Sequence, residues 1–272
     1  MKKGILFFCF LYASLAGLEA SVENPKVLVL IIASDGNEAF IELQKIWRCY
    51  MDHDPEHFEV YFIRGNPDLP TPSLIEGKNL YVRCEESYVP GITQKTILSM
   101  EAMLPRLHEF DFVLRTNLSS FFVFPRLIEY IKTLPRNSCF AGVQLYIWNA
   151  KNSCFVNFVS GTGIFLSPDL VEMLVEEKET VLSLDPEMPD DMLLGWFFQR
   201  KGLCFFPASR VDIPSRSSWL EQKDSISQDA FHFRAKSHYL PRAAEHSFED
   251  ELFINRELLK MFYPERLSES EP

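Results

Sequence analysis

Two adjacent carboxylates, Asp190 and Asp191, stand in Met188-Pro-Asp-Asp-Met-Leu-Leu-Gly-Trp196, where apolar residues begin to recur at helical spacing. A carboxylate placed there can take a proton from a hydroxyl, or can do no more than complement the helix dipole. About 30 residues upstream lies Ser160-Gly-Thr-Gly-Ile-Phe-Leu-Ser167, in which Gly161 and Gly163 flank Thr162 and let another group approach the backbone. Before that, Phe110-Asp-Phe-Val-Leu114 runs into Arg115-Thr-Asn-Leu-Ser119, an apolar strand meeting a polar turn. Near the C-terminus, Ala230-Phe-His-Phe-Arg-Ala-Lys-Ser237 alternates His232, Arg234 and Lys236 with apolar residues, so that on a strand all three share one face. Such a face can neutralise an anion, a task suited to the guanidinium fork, or can be a solvated charged edge. A base, a close-approach segment and a cationic face are what group transfer to a hydroxyl from a phosphorylated leaving group requires.

Those residues need a frame. Lys26-Val-Leu-Val-Leu-Ile-Ile-Ala33 is a continuous aliphatic run, the pattern of a strand covered on both faces. Ser34-Asp35-Gly36-Asn37 then caps a helix with Phe40, Leu43, Ile46 and Trp47 on one side, and Phe58 to Ile63 is the next strand, ending at Arg64. Strand, helix and strand of this length predict a parallel βαβ unit. Asp35 and Arg64 close strands where α/β folds place ligands, and could equally form a surface turn pair. Further strands are expected at 79–84, 139–143, 155–159, 164–166 and 203–207, with 160–163 as a connecting loop. Helices are expected from about Thr93, after Pro125, after Ser167, over 192–200 and over 248–262. Glu176 to Asp191 reads as an acidic loop, and 208–228 as an irregular, mobile, serine-rich loop.

The composition sets limits. At 272 residues, 47% hydrophobic and 24% charged, the chain can bury a sizeable core. A formal net charge of -11 argues against a nucleic-acid partner. Lys2 and Lys3 precede an apolar run from Gly4 to Leu18 and then Glu19-Ala20-Ser21, which reads as a cleaved signal peptide over 1–20. An uncleaved anchor is the competing reading, although about 15 apolar residues fall short of the roughly 20 that span a bilayer. Export through a secretory route is expected either way, with membrane contact only through this segment. Beyond Cys9, five cysteines (49, 84, 139, 154 and 204) show no C-x-x-C pair, so thiolate metal binding is not expected; one or two disulfides and plain buried thiols both remain open.

In their order, these segments resemble the fringe and β-1,3-galactosyltransferase superfamily, whose members have the A-type glycosyltransferase fold. Asp190, Asp191 and Gly195 match its Pro-Asp-Asp helix start, and Gly161, Gly163 and Ser167 match its Gly-x-Gly segment. Glu86 to Lys95 resembles its acidic, Tyr-containing Thr-x-Lys stretch. The resemblance spans roughly 26–236 and implies a base at Asp191, with Asp190 as the nearest substitute. It also implies a D-x-D turn for a divalent cation, and here the chain departs: aligning Thr116 puts Asn117, Leu118 and Ser119 where the acids belong.

From the residues and the resemblance together, the expected architecture is α/β, a single A-type glycosyltransferase (Rossmann-like) domain over 21–265. Its central, mostly parallel mixed sheet is flanked by helices, and 266–272 form a disordered tail. The expected activity is an inverting transfer from a nucleotide-sugar, a UDP-sugar by preference, to the hydroxyl of a glycan, glycoprotein or glycolipid. Asn117, Ser119, Arg115, His232, Arg234, Lys236, Asp35, Arg64 and Lys95 are the candidates for the donor and its diphosphate, and Gly161, Thr162 and Gly163 for the substrate loop. Mn²⁺ or Mg²⁺, if used, would fall to Asn117, Ser119 and His232. The rival readings are an inactive glycan- or nucleotide-binding relative, a nucleotide-sugar hydrolase and a secreted interaction protein.

Overall fold

The aliphatic run at Val27–Ile32 (β1) has a different neighbour on each of its faces. Val27, Val29 and Ile31 enter one apolar core while Leu28 and Leu30 enter another, the two-residue alternation of a strand buried on both sides. In this computed structural model the described residues are 24–149, 151, 153–185, 187–236 and 248–266. The expectations for segment 1–20 and for the tail beyond 266 lie outside them.

From β1 the chain passes to Glu38–Tyr50 (α1), capped by the Asn37 side chain, which accepts from the Ala39 N–H at 2.8 Å. Phe58–Gly65 (β2) returns parallel to β1. A hairpin of Ser73–Glu76 (β3) and Asn79–Val82 (β4) follows, with β4 parallel to β2. Gly91–Met103 (α2) then leads to Phe112–Asn117 (β5), parallel to the other edge of β1. After a short Ser120–Phe122 strand (β6) and Phe124–Ile131 (α3) come Phe140–Asn149 (β7) and Cys154–Leu166 (β8), a long antiparallel pair. Three helices follow: Pro168–Glu176 (α4), Lys178–Leu184 (α5) and Asp190–Arg200 (α6). The remainder is Phe205–Pro207 (β9), Val211–Asp212 (β10), Arg216–Gln222 (α7), His232–Arg234 (β11) and Phe248–Phe262 (α8).

Among the described residues the main sheet has eight strands in the order β3-β4-β2-β1-β5-β8-β7-β9, and β10-β11-β6 make a second, smaller sheet. Parallel pairing joins β4, β2, β1 and β5, whereas β8 runs against both β5 and β7. Helices α1, α3 and α8 cover one face of the main sheet, and α2, α4, α5 and α6 the other. This is the expected α/β class, a central mixed sheet flanked by helices. No helix of the described residues is long and apolar enough to cross a membrane.

Four local expectations are corrected. Ser160 to Gly163 is no connecting loop: it lies within β8, at the point where the register with β7 shifts between Gly142 and Gln144, and its glycines leave room for neighbouring side chains. The polar Arg115-Thr116-Asn117 belongs to β5, and the chain turns only at Leu118-Ser119, since Thr116 Oγ1 donates to the Thr162 carbonyl (2.6 Å) and is buried. The acidic stretch after Glu176 holds α5, whose Val181 reaches the core. Within 208–228, Ser215 caps α7 by accepting from Ser218 N–H, and Ile213 and Trp219 are buried. Cys84 and Cys139 are buried free thiols whose pKa burial pushes up to about 11 and about 12.

Candidate active site

Strands β5 and β8 pair only from Val113–Leu166 to Arg115–Ile164 and then diverge. The wedge between them opens beside the carboxyl ends of β1 and β5, and open α/β sheets bind ligands at such strand ends. A cavity of about 520 Å³ occupies it. Its lining includes Ala33 and Ser34 after β1, Asn117 to Ser119 after β5, Ser160 to Thr162 on β8, and the start of α6.

The α6 wall is built on an i, i+4, i+8 stripe facing β8: Asp191, Gly195 and Gln199. Beyond Ile164 this edge of β8 has lost β5 as a ladder partner, and side chains of α6 take its place. Asp191 Oδ2 accepts from the Gly161 N–H at 2.9 Å. Gln199 accepts from the Asn157 N–H (3.0 Å) and donates to the Phe155 carbonyl (3.1 Å). Gly195 lets the helix lie against the strand, since a Cβ there would stand 2.5 Å from the Asn157 carbonyl and 2.4 Å from Phe158 Cβ. Asp191 Oδ1 accepts from Met192 N–H at 2.9 Å. Burial first, and then the adjacent Asp190 charge, hold the Asp191 carboxyl above the usual carboxylate range.

Asp190 faces inward and is only 6% exposed. It pairs with the buried Arg115 and accepts from Thr96 Oγ1 at 3.2 Å. Arg115 also donates to the Gly161 carbonyl. A Cβ at Gly161 would meet Arg115 Nη1 at 2.7 Å and Asp191 Oδ2 at 3.1 Å, so this glycine admits the protein's own charged groups. Gly163 similarly admits His232.

The residues at the D-x-D position do not suit a divalent cation. Asn117 Oδ1 accepts from the hydroxyls of Ser119 (2.9 Å) and Ser120 (3.2 Å), and its Nδ2 donates to the Gly161 carbonyl at 3.2 Å. The turn thus offers a neutral oxygen already facing two donors, and no carboxylate. His232 is 1% exposed, outside the cavity lining, and stacked on Phe122 with ring centroids 4.4 Å apart. Burial, reinforced by Arg210 and Arg234, drives its pKa well below the ordinary value, so it is neutral. Among the described residues, no three His, Cys, Asp or Glu side chains converge as a metal cage would require.

The other candidates divide. Lys95 lines the cavity but is buried, donating to the Ala33 carbonyl (2.9 Å) and paired with Glu86; burial lowers its pKa against the pull of that partner. Arg64 and Asp35 are not in the lining: Arg64 pairs with Asp35 at 2.7 Å and donates to Gln44 and Asn79, the turn-pair alternative. That bond to Arg64 lowers the Asp35 pKa. Thr162 lines the cavity, and its hydroxyl accepts from Arg210 at 2.6 Å. Arg234 and Lys236 line the wall opposite α6, together with Glu251.

Sequence reasoning missed Glu251, Phe40 and Phe248, and gave Tyr88 no role beyond its place in the 86–95 stretch. Glu251 follows two other acids in the first turn of α8 and resembles an ordinary dipole complement. Tyr88 is 71% exposed at the cavity, and Phe40 and Phe248 meet edge to face there, with centroids 6.2 Å apart. Exposed or paired aromatics carry no spacing signal that separates them from core residues.

Among solved structures, the chain is similar to the crystal structure of a glycosyltransferase involved in the glycosylation of the major capsid of PBCV-1. The two are 11% identical, and the match covers 85% of this chain and 100% of that one with a TM-score of 0.49. No family model matches. No curated protein matches either.

Proposed function

We propose that the protein transfers a glycosyl group from a nucleotide-sugar to an acceptor hydroxyl, with inversion at the anomeric carbon and Asp191 as general base. One observation carries this reading. The Asp191 carboxylate is fixed by two backbone N–H groups and opens into a cavity at the divergence of β5 and β8, with its basicity raised by burial and by Asp190. A carboxylate made more basic is better matched to a hydroxyl proton.

In the proposed step the acceptor oxygen attacks the anomeric carbon from the face opposite the leaving group. The bond from that carbon to the phosphate oxygen breaks and the electron pair leaves with the nucleoside diphosphate. The acceptor proton passes to Asp191. Arg115 and Thr96 hold Asp190 and so fix the first turn of α6 behind the base. Tyr88 offers a ring at the mouth on which a sugar or a nucleobase can stack. The motif order supports a relative of the fringe superfamily, and the basic-then-apolar segment 1–20 supports export, hence a glycan, glycoprotein or glycolipid acceptor.

A second reading, a non-transferring relative that binds nucleotide or glycan, is favoured by the Asn117 turn, whose oxygen faces two of its own hydroxyls. Thermal unfolding of the protein against UDP, GDP and their sugars, with product analysis for the stabilising donor, separates the two. Stabilisation with turnover, and loss of turnover in Asp191→Asn with stabilisation kept, supports the transferase. Stabilisation without turnover supports the binding relative. No shift with any nucleotide or nucleotide-sugar defeats the transferase and the nucleotide-binding relative alike.

A further inference from the structure

Eight charged side chains line the cavity, and they are distributed unevenly. Lys95 is paired with Glu86, and Arg115 with Asp190. The other four are Asp191 on the α6 wall and Arg234, Lys236 and Glu251 on the wall made by β11 and α8. That second wall adjoins the turn where a cation-binding pair of acids would stand. Strand β11 runs antiparallel to β6 with Arg234 opposite Ser120, and the Ala235 N–H donates to the Ser119 carbonyl at 3.2 Å. Arg234 and Lys236 therefore sit on either side of a hydrogen bond to that turn, while Phe233 and Ala235 are anchored in the core.

We propose that Arg234 and Lys236, with Glu251 as their internal counter-charge, form a diphosphate subsite that works without a divalent cation. The proposal rests on reading the cavity as a nucleotide-sugar site, and it names what replaces the metal there. Two fixed cations beside a turn that offers only neutral oxygens supply the positive charge that a leaving diphosphate needs. In a chain of net charge -11, both of these basic side chains line a cavity. Glu251 is 4% exposed and belongs to the same cluster; burial lifts its carboxyl to about 7 even against the attraction of Lys236 and Arg234. An anion entering the subsite competes with it for the same cations.

Calorimetric titration of the full chain with inorganic pyrophosphate, UDP and GDP, once in EDTA and once with Mn²⁺, tests the proposal. All binding ligands are expected to bind in EDTA, with Kd changed by less than about twofold by Mn²⁺. Arg234→Gln and Lys236→Gln should each weaken binding about tenfold or more, as expected for losing one charge-assisted contact. Arg234→Lys, which keeps the charge, serves as the milder variant and should lose less. Glu251→Gln should tighten binding. Binding that requires Mn²⁺, or weakening in Glu251→Gln at an unchanged melting temperature, overturns the subsite. Metal-free diphosphate binding without sugar transfer keeps the subsite and removes the transferase reading. Transfer that occurs only with Mn²⁺ does the reverse, and no binding under either condition removes both.

Discussion

The two walls of the cavity are built on opposite plans. On the α6 and β8 side every charge has a structural partner: Asp190 holds Arg115, Arg115 holds the Gly161 carbonyl, and Asp191 holds the Gly161 N–H. The glycines there are filled from behind by the protein's own side chains. On the β11 and α8 side, two cations and one buried acid share a cluster. The first wall is preorganised, which suits a group that must meet a reacting atom at one position. The second gathers Arg234 and Lys236 at the cavity, which suits groups that must attract an anion. In the proposed reading, chemistry and binding thus fall to different sheets of one fold.

The contrast can be broken one side chain at a time. The largest effect is expected from Asp191→Asn, which keeps an oxygen for the Gly161 N–H but removes the base. Turnover should fall by about 10²- to 10⁴-fold in a product assay with the melting temperature little changed. A large fall in melting temperature instead would show that the carboxylate is structural. Next comes Asp190→Ala, which strands the buried Arg115; chemical denaturation should report a loss of about 3–5 kcal/mol. If that variant is as stable as the parent, the first wall is not held together by this pair. Gly195→Ala drives a methyl into the Asn157 carbonyl and Phe158, and should cost about 1–3 kcal/mol in the same measurement.

The smallest effect sharpens the second wall. The folded protein holds a proton on Glu251 up to about pH 7, whereas a carboxyl at the ordinary value of 4.5 in the unfolded chain releases it earlier. Stability from this group is therefore present at low pH and lost as pH rises through about 7. Glu251→Gln lacks that loss. Its melting temperature relative to the parent should climb by a few degrees from pH 5 to pH 8, and a gap that stays constant would remove Glu251 from the titration.

Much of the frame was legible because apolar runs and caps are local signals. The βαβ start, the Asn37 cap and the span of α8 can be read from neighbouring residues alone. The pair Asp190-Asp191 and Gly161 were also visible, and the structure brings them together. What was not legible depends on distant partners. Ser-Gly-Thr-Gly reads as a loop because nothing nearby says that Arg115, Asp191 and His232 fill the space its glycines leave. His232 alternates with Arg234 and Lys236 as a shared face would, yet it stacks on Phe122 outside the cavity. Arg64 and Asp35 carried the right charges at strand ends and neutralise each other. Ser167 fits an N-cap by type, but its hydroxyl accepts from the Cys139 N–H at 2.9 Å.

The match between α6 and the free edge of β8 is a matter of pitch. Eight residues of helix from Asp191 to Gln199 advance about 12 Å, and the four residues of strand from Gly161 back to Asn157 advance about 13 Å. Two periodic structures with different steps coincide at these two ends, as the graduations of a vernier do. Deleting or inserting one residue between 191 and 199 would turn the helix by about 100° and lose the coincidence at one end. The chain length between Asp191 and Gln199 is therefore as much a determinant of the site as the identity of either residue.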